Sequence, residues 1–260
     1  MKSVPIALAA LAVASAVSAA PATATPGEYA FAFTCNRDSL SADFAQRDQL
    51  PETDAPPSTW YPQIGRGPKA AALPPVAVPD GAGCNQATWR RERIVATALH
   101  YLNVPGNPQG LQYRHHHIPA WDPPSSTQPP DAGPDDPEHS RSQSPATWAG
   151  GRGLDCSSFA AWVYNYGLGL KFNGDVHRQY DGSAGPMGQR LSAQGPFEPG
   201  DLVYLHPNDD PAIASHVVIY LDDAHIVDSR LDAQDLIGVQ IRRRQGWYRN
   251  AILGGWRPTA

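Results

Sequence analysis

The chain has 260 residues and a formal net charge of −5, from 20 Lys and Arg against 25 Asp and Glu. That length allows one domain of ordinary size with an extension, or two small domains. An acidic balance without a basic face argues against a nucleic-acid partner, and the short run Arg242-Arg243-Arg244 reads as a solvated strand end.

The first residues set the expected compartment. Lys2 supplies a positive start, Val4 to Val17 are apolar, and Val17-Ser18-Ala19 fits a cleavage site, so residues 1–19 read as a signal peptide. The apolar run is too short to span a bilayer. No Cys stands at the cleavage point to carry a lipid anchor, and no later segment has the length to cross. The mature protein is expected to be exported, periplasmic or extracellular, and off the membrane. An oxidising compartment would let Cys35 and Cys84 pair as a disulfide. Cys156, the odd one of three cysteines, is then a candidate reactive thiol, with an inert buried Cys as the plain alternative.

Residues 20–84 are rich in Pro, Ala and Asp and show no sustained helical period. They are expected to be an irregular N-terminal extension, with a short strand at 29–34 and the Cys35–Cys84 bridge as its tie. A helix then begins at the N-cap Asn85 and keeps Ile94, Ala98, Leu99 and Leu102 on one face to about residue 103, before Pro105 and Gly106. An insertion at about 107–147 is crowded with Pro and acidic residues. A loop that long inside a compact domain tends to be functional or disordered.

Beyond it, Asp155 is placed to cap a helix over 156–166 that Gly167 closes. FEPGDLVYL (197–205) reads as a turn into a strand. SHVVIYL (215–221), the loop Asp222-Asp223-Ala224 and HIVDSR (225–230) read as a hairpin, and 239–243 and 252–256 as further strands. A helix followed by antiparallel strands predicts an α+β domain over 85–260.

The chemistry rests on three side chains. Cys156 falls in the first turn of its helix, where unpaired N–H groups and the helix dipole favour a thiolate and can hold an oxyanion. His216 opens an apolar strand, a rigid mounting for a base. With a three-residue hairpin loop, Val218 faces Asp228, which then shares a face with His216 at the diagonal position; a two-residue loop would send it to the other face.

Together GLDCSSF (153–159), PGDLVYL (199–205) and SHVVIYL (215–221) followed by Asp228 resemble the NlpC/P60 peptidases, motif by motif and in order. The resemblance implies a papain-like α+β fold, the nucleophile on a helix N-terminus packed on an antiparallel sheet. It implies cleavage of peptidoglycan stem peptides between D-glutamate and a diamino acid, with Cys156 as nucleophile, His216 as base, Asp228 as third polar group and no cofactor. Two departures stand out. The family's Tyr ahead of the nucleophile is missing from the Trp148-Ala149-Gly150-Gly151 stretch, and Tyr113 is the candidate to replace it across the insertion. Ser157-Ser158 replaces the commoner Ser-Gly.

The run His115-His116-His117 lacks the spacing of a metal site, so it is read as structural or as lining the cleft, with Trp148 and Ser157 as further cleft candidates. His100, His177 and His206 read as ordinary polar histidines, His225 as a rival third member, and Asp201 as a turn brace. Competing readings keep the fold and change the target, to an exported amidase or effector acting on another amide, or discard catalysis for a silent wall-binding module.

Overall fold

A computed structural model describes residues 29–48, 72–111, 113, 154–207, 210–230 and 238–259. The expected signal peptide, His115, His116, His117, Trp148 and most of the 107–147 insertion lie outside the described residues.

The elements run α1 (Arg37–Ser41), α2 (Phe44–Arg47), α3 (Gln86–His100), α4 (Cys156–Leu168), α5 (Val176–Asp181), β1 (Gln189–Leu191), β2 (Leu202–Leu205), β3 (His216–Tyr220), β4 (His225–Arg230), β5 (Gly238–Arg243), α6 (Trp247–Asn250) and β6 (Ile252–Arg257). The six strands form one antiparallel sheet in the order β1-β6-β2-β3-β4-β5. This is the expected α+β arrangement, with α4 packed on the sheet.

Both faces of the central strands are covered, which explains why β3 reads as an unbroken apolar run. Val217, Ile219 and Val227 join Leu202, Tyr204, Trp89, Ile94, Phe159, Val163 and Tyr166 in the main core. Val218, Tyr220 and Ile226 point the other way and join Val203, Leu205, Tyr248 and Ala251 in a second cluster. Strand alternation divides neighbouring residues between the two.

Helix α3 starts where Asn85 accepts from the Thr88 N–H at 2.9 Å. Helix α4 starts where Asp155 accepts from the Ser158 N–H at 2.7 Å. Its end departs from expectation. Gly167 lies inside the helix, because α3 presses so close that a Cβ there would meet Thr97 Oγ1 at 2.9 Å. The helix closes instead at Gly169, in the left-handed conformation at φ 71°.

The N-terminal region corrects two further expectations. Residues 29–34 form no strand, and two short helices, α1 and α2, occupy part of what read as irregular chain. The described parts of the extension are built into the main core rather than appended to it: Cys35, Leu40 and Phe44 are buried among residues of α3 and α4. Arg93, fully buried on α3, donates from Nη1 to the Leu40 carbonyl at 2.5 Å and from Nε to the Gly167 carbonyl at 3.1 Å. Arg47 donates to the Tyr166 carbonyl at 2.8 Å, and Asn165 accepts from the Leu73 N–H at 2.9 Å. Gly169 leaves no room for a Cβ against the backbone of Leu73, Pro74 and Pro75. Cys35 and Cys84 are bridged, Cα to Cα 5.1 Å, and fasten this arm to the start of α3.

The bridge closes a loop of 49 residues, for which restriction of the unfolded chain contributes about 4 kcal/mol. Replacing both cysteines by Ala is expected to lower unfolding free energy by about 2–5 kcal/mol. Urea denaturation of the two proteins measures it, and equal midpoints would mean the arm is held by packing alone.

Candidate active site

The β3–β4 hairpin has the three-residue loop Asp222-Asp223-Ala224, closed by the His225 N–H donating to the Asp222 carbonyl at 3.3 Å. Its register pairs Ile219 with Val227 and Tyr220 with Ile226, which carries Asp228 opposite Val218 and Arg230 opposite His216. Asp228 therefore lies diagonal to His216 on one face, and its Oδ2 is 2.7 Å from His216 Nε2.

Asp228 is 1 % exposed, and a carboxylate sealed from water is costly unless paired and hydrogen-bonded. Its two oxygens are occupied from three elements. Arg242 Nε on β5 donates to Oδ1 at 2.7 Å, and the Tyr248 hydroxyl on α6 donates to Oδ2 at 2.8 Å, beside the His216 bond. Burial alone would raise the Asp228 carboxyl, but the Arg242 charge and the His216 hydrogen bond outweigh it and hold the group well below the usual carboxylate range. Burial and the neighbouring Asp228 charge push the Tyr248 phenol upward, so it remains a donor.

The ionised carboxylate fixes the imidazole tautomer. A carboxylate only accepts, so His216 Nε2 carries the hydrogen of that bond. In the neutral ring Nδ1 then holds the lone pair, and it is the nitrogen equipped to take a proton. The ring lies 5.5 Å from that of Trp247 and 6.3 Å from that of Tyr248, centroid to centroid. Trp247 is itself pinned by Nε1 donating to the His206 carbonyl at 2.9 Å.

Cys156 is the first residue of α4, buried at 8 % exposure, and it is not in a disulfide. His216 faces the α6 side of the sheet, whereas α4 covers the other, so the relevant question is where along the sheet α4 begins. Ser229 answers it. Its hydroxyl donates to the Leu154 carbonyl at 2.6 Å, tying the residue two before Cys156 to the residue next to Asp228. The Cys156 end of α4 is thus anchored at the end of the sheet where β3 begins with His216.

Beside Cys156, Ser157 is bonded through both its hydroxyl and its carbonyl, while the buried Ser158 hydroxyl has no hydrogen-bond partner among the described residues. The Ser157 hydroxyl donates to Asp155 at 3.3 Å, and its carbonyl accepts from Gln179 Nε2 at 2.9 Å. Gln179, fully buried, also accepts from the Tyr204 hydroxyl at 3.3 Å. Tyr113 is buried at 4 % exposure, just beyond the bridge in which Val239 donates to the Leu111 carbonyl.

The NlpC/P60 family model matches residues 143–254. That part of the chain is an NlpC/P60 domain. In structure the chain is similar to an NlpC/P60 family protein from Bacillus cereus, at 22 % identity and TM-score 0.35, covering 42 % of this chain and 32 % of that one. It is similar to a lipoprotein-like NLP/P60 protein from Staphylococcus aureus, at 18 % identity and TM-score 0.41, covering 72 % and 44 %. The peptidoglycan hydrolase RipB from Mycobacterium tuberculosis gives 16 % identity and TM-score 0.42, covering 71 % and 74 %. The chain thus spans less than half the length of the first two. No curated protein matches it.

Within the NlpC/P60 domain, Arg242 is the residue that sequence reasoning misplaced. It is 3 % exposed and bound to Asp228, not solvated, while Arg243 next to it is exposed. Alternation along Val239-Gln240-Ile241-Arg242 carried the signal: Arg242 shares the inward face with Gln240, and the β4–β5 register sets it opposite Ile226, diagonal to Asp228. Tyr248 and Trp247 were missed because α6 is four residues long and has no readable period. His225, the rival third member, pairs instead with Asp222 at 3.0 Å and packs on Tyr29 at 4.2 Å. Asp201 accepts from the Glu198 N–H at 2.7 Å and from Arg257 at 2.9 and 2.8 Å, bracing the turn before β2. Among the described residues, no three His, Cys, Asp or Glu side chains gather as a metal ion would need, and no helix is long and apolar enough to cross a membrane.

The depressed Asp228 ionisation links stability to pH. Because the folded carboxyl titrates below the unfolded one, its contribution is complete above pH ~4 and is lost as pH falls toward the folded value. Asp228→Asn strands the Arg242 charge and is expected to cost about 3–5 kcal/mol at pH 7. It should also flatten the fall of stability below pH ~4. Urea midpoints at pH 7 and pH 3 for both proteins check this; parallel curves would contradict it.

Proposed function

We propose that the protein is an exported cysteine peptidase that hydrolyses amide bonds in peptidoglycan stem peptides, acting as a D,L-endopeptidase. The observation that carries this reading is the ionised, buried Asp228 bonded to His216 Nε2, on the same sheet end to which the Leu154–Ser229 bond ties the start of α4. The NlpC/P60 domain supplies the substrate class.

In this reading Cys156 is the nucleophile and His216 Nδ1 its base. The thiol proton passes to Nδ1, and Cys156 Sγ attacks the amide carbonyl carbon. The oxyanion that forms is met by the Cys156 backbone N–H, which lies in the first turn of α4 at the positive end of the helix dipole. Collapse breaks the C–N bond as the imidazolium protonates the departing amine, leaving a thioester on Cys156. Water then attacks that carbonyl, giving its proton to Nδ1, and the acid product leaves as the thiol is restored. Asp228 holds the ring in the productive tautomer and stabilises its charged form. Tyr113, His115, His116, His117, Trp148 and Ser157 are the proposed surroundings of the substrate.

Cys156→Ala is expected to lower release of muropeptide fragments from purified sacculi by about 10³-fold or more, with an unchanged circular dichroism spectrum. Mass spectrometry of the soluble fragments reports the loss and the bond cut. Release at the wild-type rate would end this reading, and cleavage at bonds other than D-glutamyl–diamino acid would revise the specificity.

A further inference from the structure

Asp228 is gripped more firmly than orientation of an imidazole requires. A single hydrogen bond to a polar side chain would fix the ring, and a neutral amide would suffice. Here the third group is a full charge sealed at 1 % exposure, met by a guanidinium on one oxygen and by both an imidazole and a phenol on the other. An unaccompanied carboxylate at 2.7 Å would hold His216 in its charged form strongly. That would weaken the imidazole as a base for the thiol and for water.

We infer that Arg242 and Tyr248 are positioning residues of the His216–Asp228 pair: they share the Asp228 charge, so that His216 feels only part of it. The geometry supports the division. Arg242 occupies Oδ1 alone, leaving Oδ2 for His216, and Tyr248 donates to that second oxygen and lowers its basicity. Arg242 is 3 % exposed, so water does not screen its charge. Tyr248 is held in turn by Arg230 on β4, whose Nη1 donates to the phenol oxygen at 3.3 Å while its guanidinium lies 4.9 Å over the Trp247 ring. The charged and titratable groups seen around the pair are therefore Arg242 from β5 and Tyr248 from α6, with Arg230 from β4 behind Tyr248. The His206 ring is turned to the Pro207 carbonyl at 2.6 Å.

The inference rests on the proposed peptidase chemistry only for its kinetic readout. The direct readout is the titration of His216 by NMR of ring-labelled protein, in Cys156→Ala so that the thiol does not contribute. With Arg242→Gln, the His216 titration is expected to move up by about one pH unit, and the acidic limb of kcat/KM in the otherwise wild-type enzyme to move with it. Tyr248→Phe, which keeps the ion pair, should shift both in the same direction by less. Should Arg242→Gln fold poorly, Asp228→Asn/Arg242→Gln removes both charges at once. It is expected to recover most of the stability lost by Asp228→Asn alone and to titrate His216 below the wild type. A His216 titration unmoved in Arg242→Gln and in Tyr248→Phe would overturn the inference and leave both residues with a packing role. A shifted titration in a protein that cuts no stem peptide would uphold the inference and remove the peptidase reading instead.

Discussion

A carboxylate with no access to water decides how this domain is built around its site. Asp228 is charged where it meets the His216 ring, and a buried charge survives only among donors that cannot drift. Strand β3 brings the imidazole, β5 the guanidinium and α6 the phenol, each within 2.8 Å of an Asp228 oxygen. The registers of β3 with β4 and of β4 with β5 set the distances to the imidazole and the guanidinium. A slip of one residue in either would turn a partner to the opposite face and leave the charge exposed to an apolar core.

The other half of the site depends on packing rather than charge. Helix α4 is almost wholly buried, and its small residues allow close approach: Gly167 against α3, Gly169 against the 73–75 backbone. The N-terminal arm contributes Leu40, Phe44 and the Cys35–Cys84 bridge to the same core. Rigid placement of α4 matters because catalytic geometry tolerates only fractions of an ångström, and Ser229 converts that placement into a fixed relation to Asp228 by its bond to the Leu154 carbonyl. The arm, α4 and the strand pair that carries Asp228 are tied together by these contacts.

Much of this was legible in the amino-acid sequence because it depends on local rules. Asn85 and Asp155 announce helix starts through their capping oxygens, and SHVVIYL with a three-residue loop specifies a register that carries Asp228 to His216. What escaped depends on tertiary context. Arg242 looks like one of three solvated arginines until the β4–β5 register turns it toward Asp228. Gly167 looks like a helix stop until α3 is seen to need its missing side chain. Helices α1, α2 and α6 have four or five residues each, too few for a period to show, and are held by burial of Leu40, Phe44 and Tyr248. Propensity there is subordinate to packing.

In the proposed mechanism Cys156 and His216 act as one proton-sharing pair at the sheet end that Asp228 organises. The rate of Cys156 alkylation by iodoacetamide across pH, in the wild type and in His216→Ala, tests that most directly. A shared proton predicts rapid labelling at pH values well under the ~8.5 of a free thiol, with that acidic reactivity lost in His216→Ala. Identical profiles for the two proteins, both rising only near the free-thiol value, would contradict it.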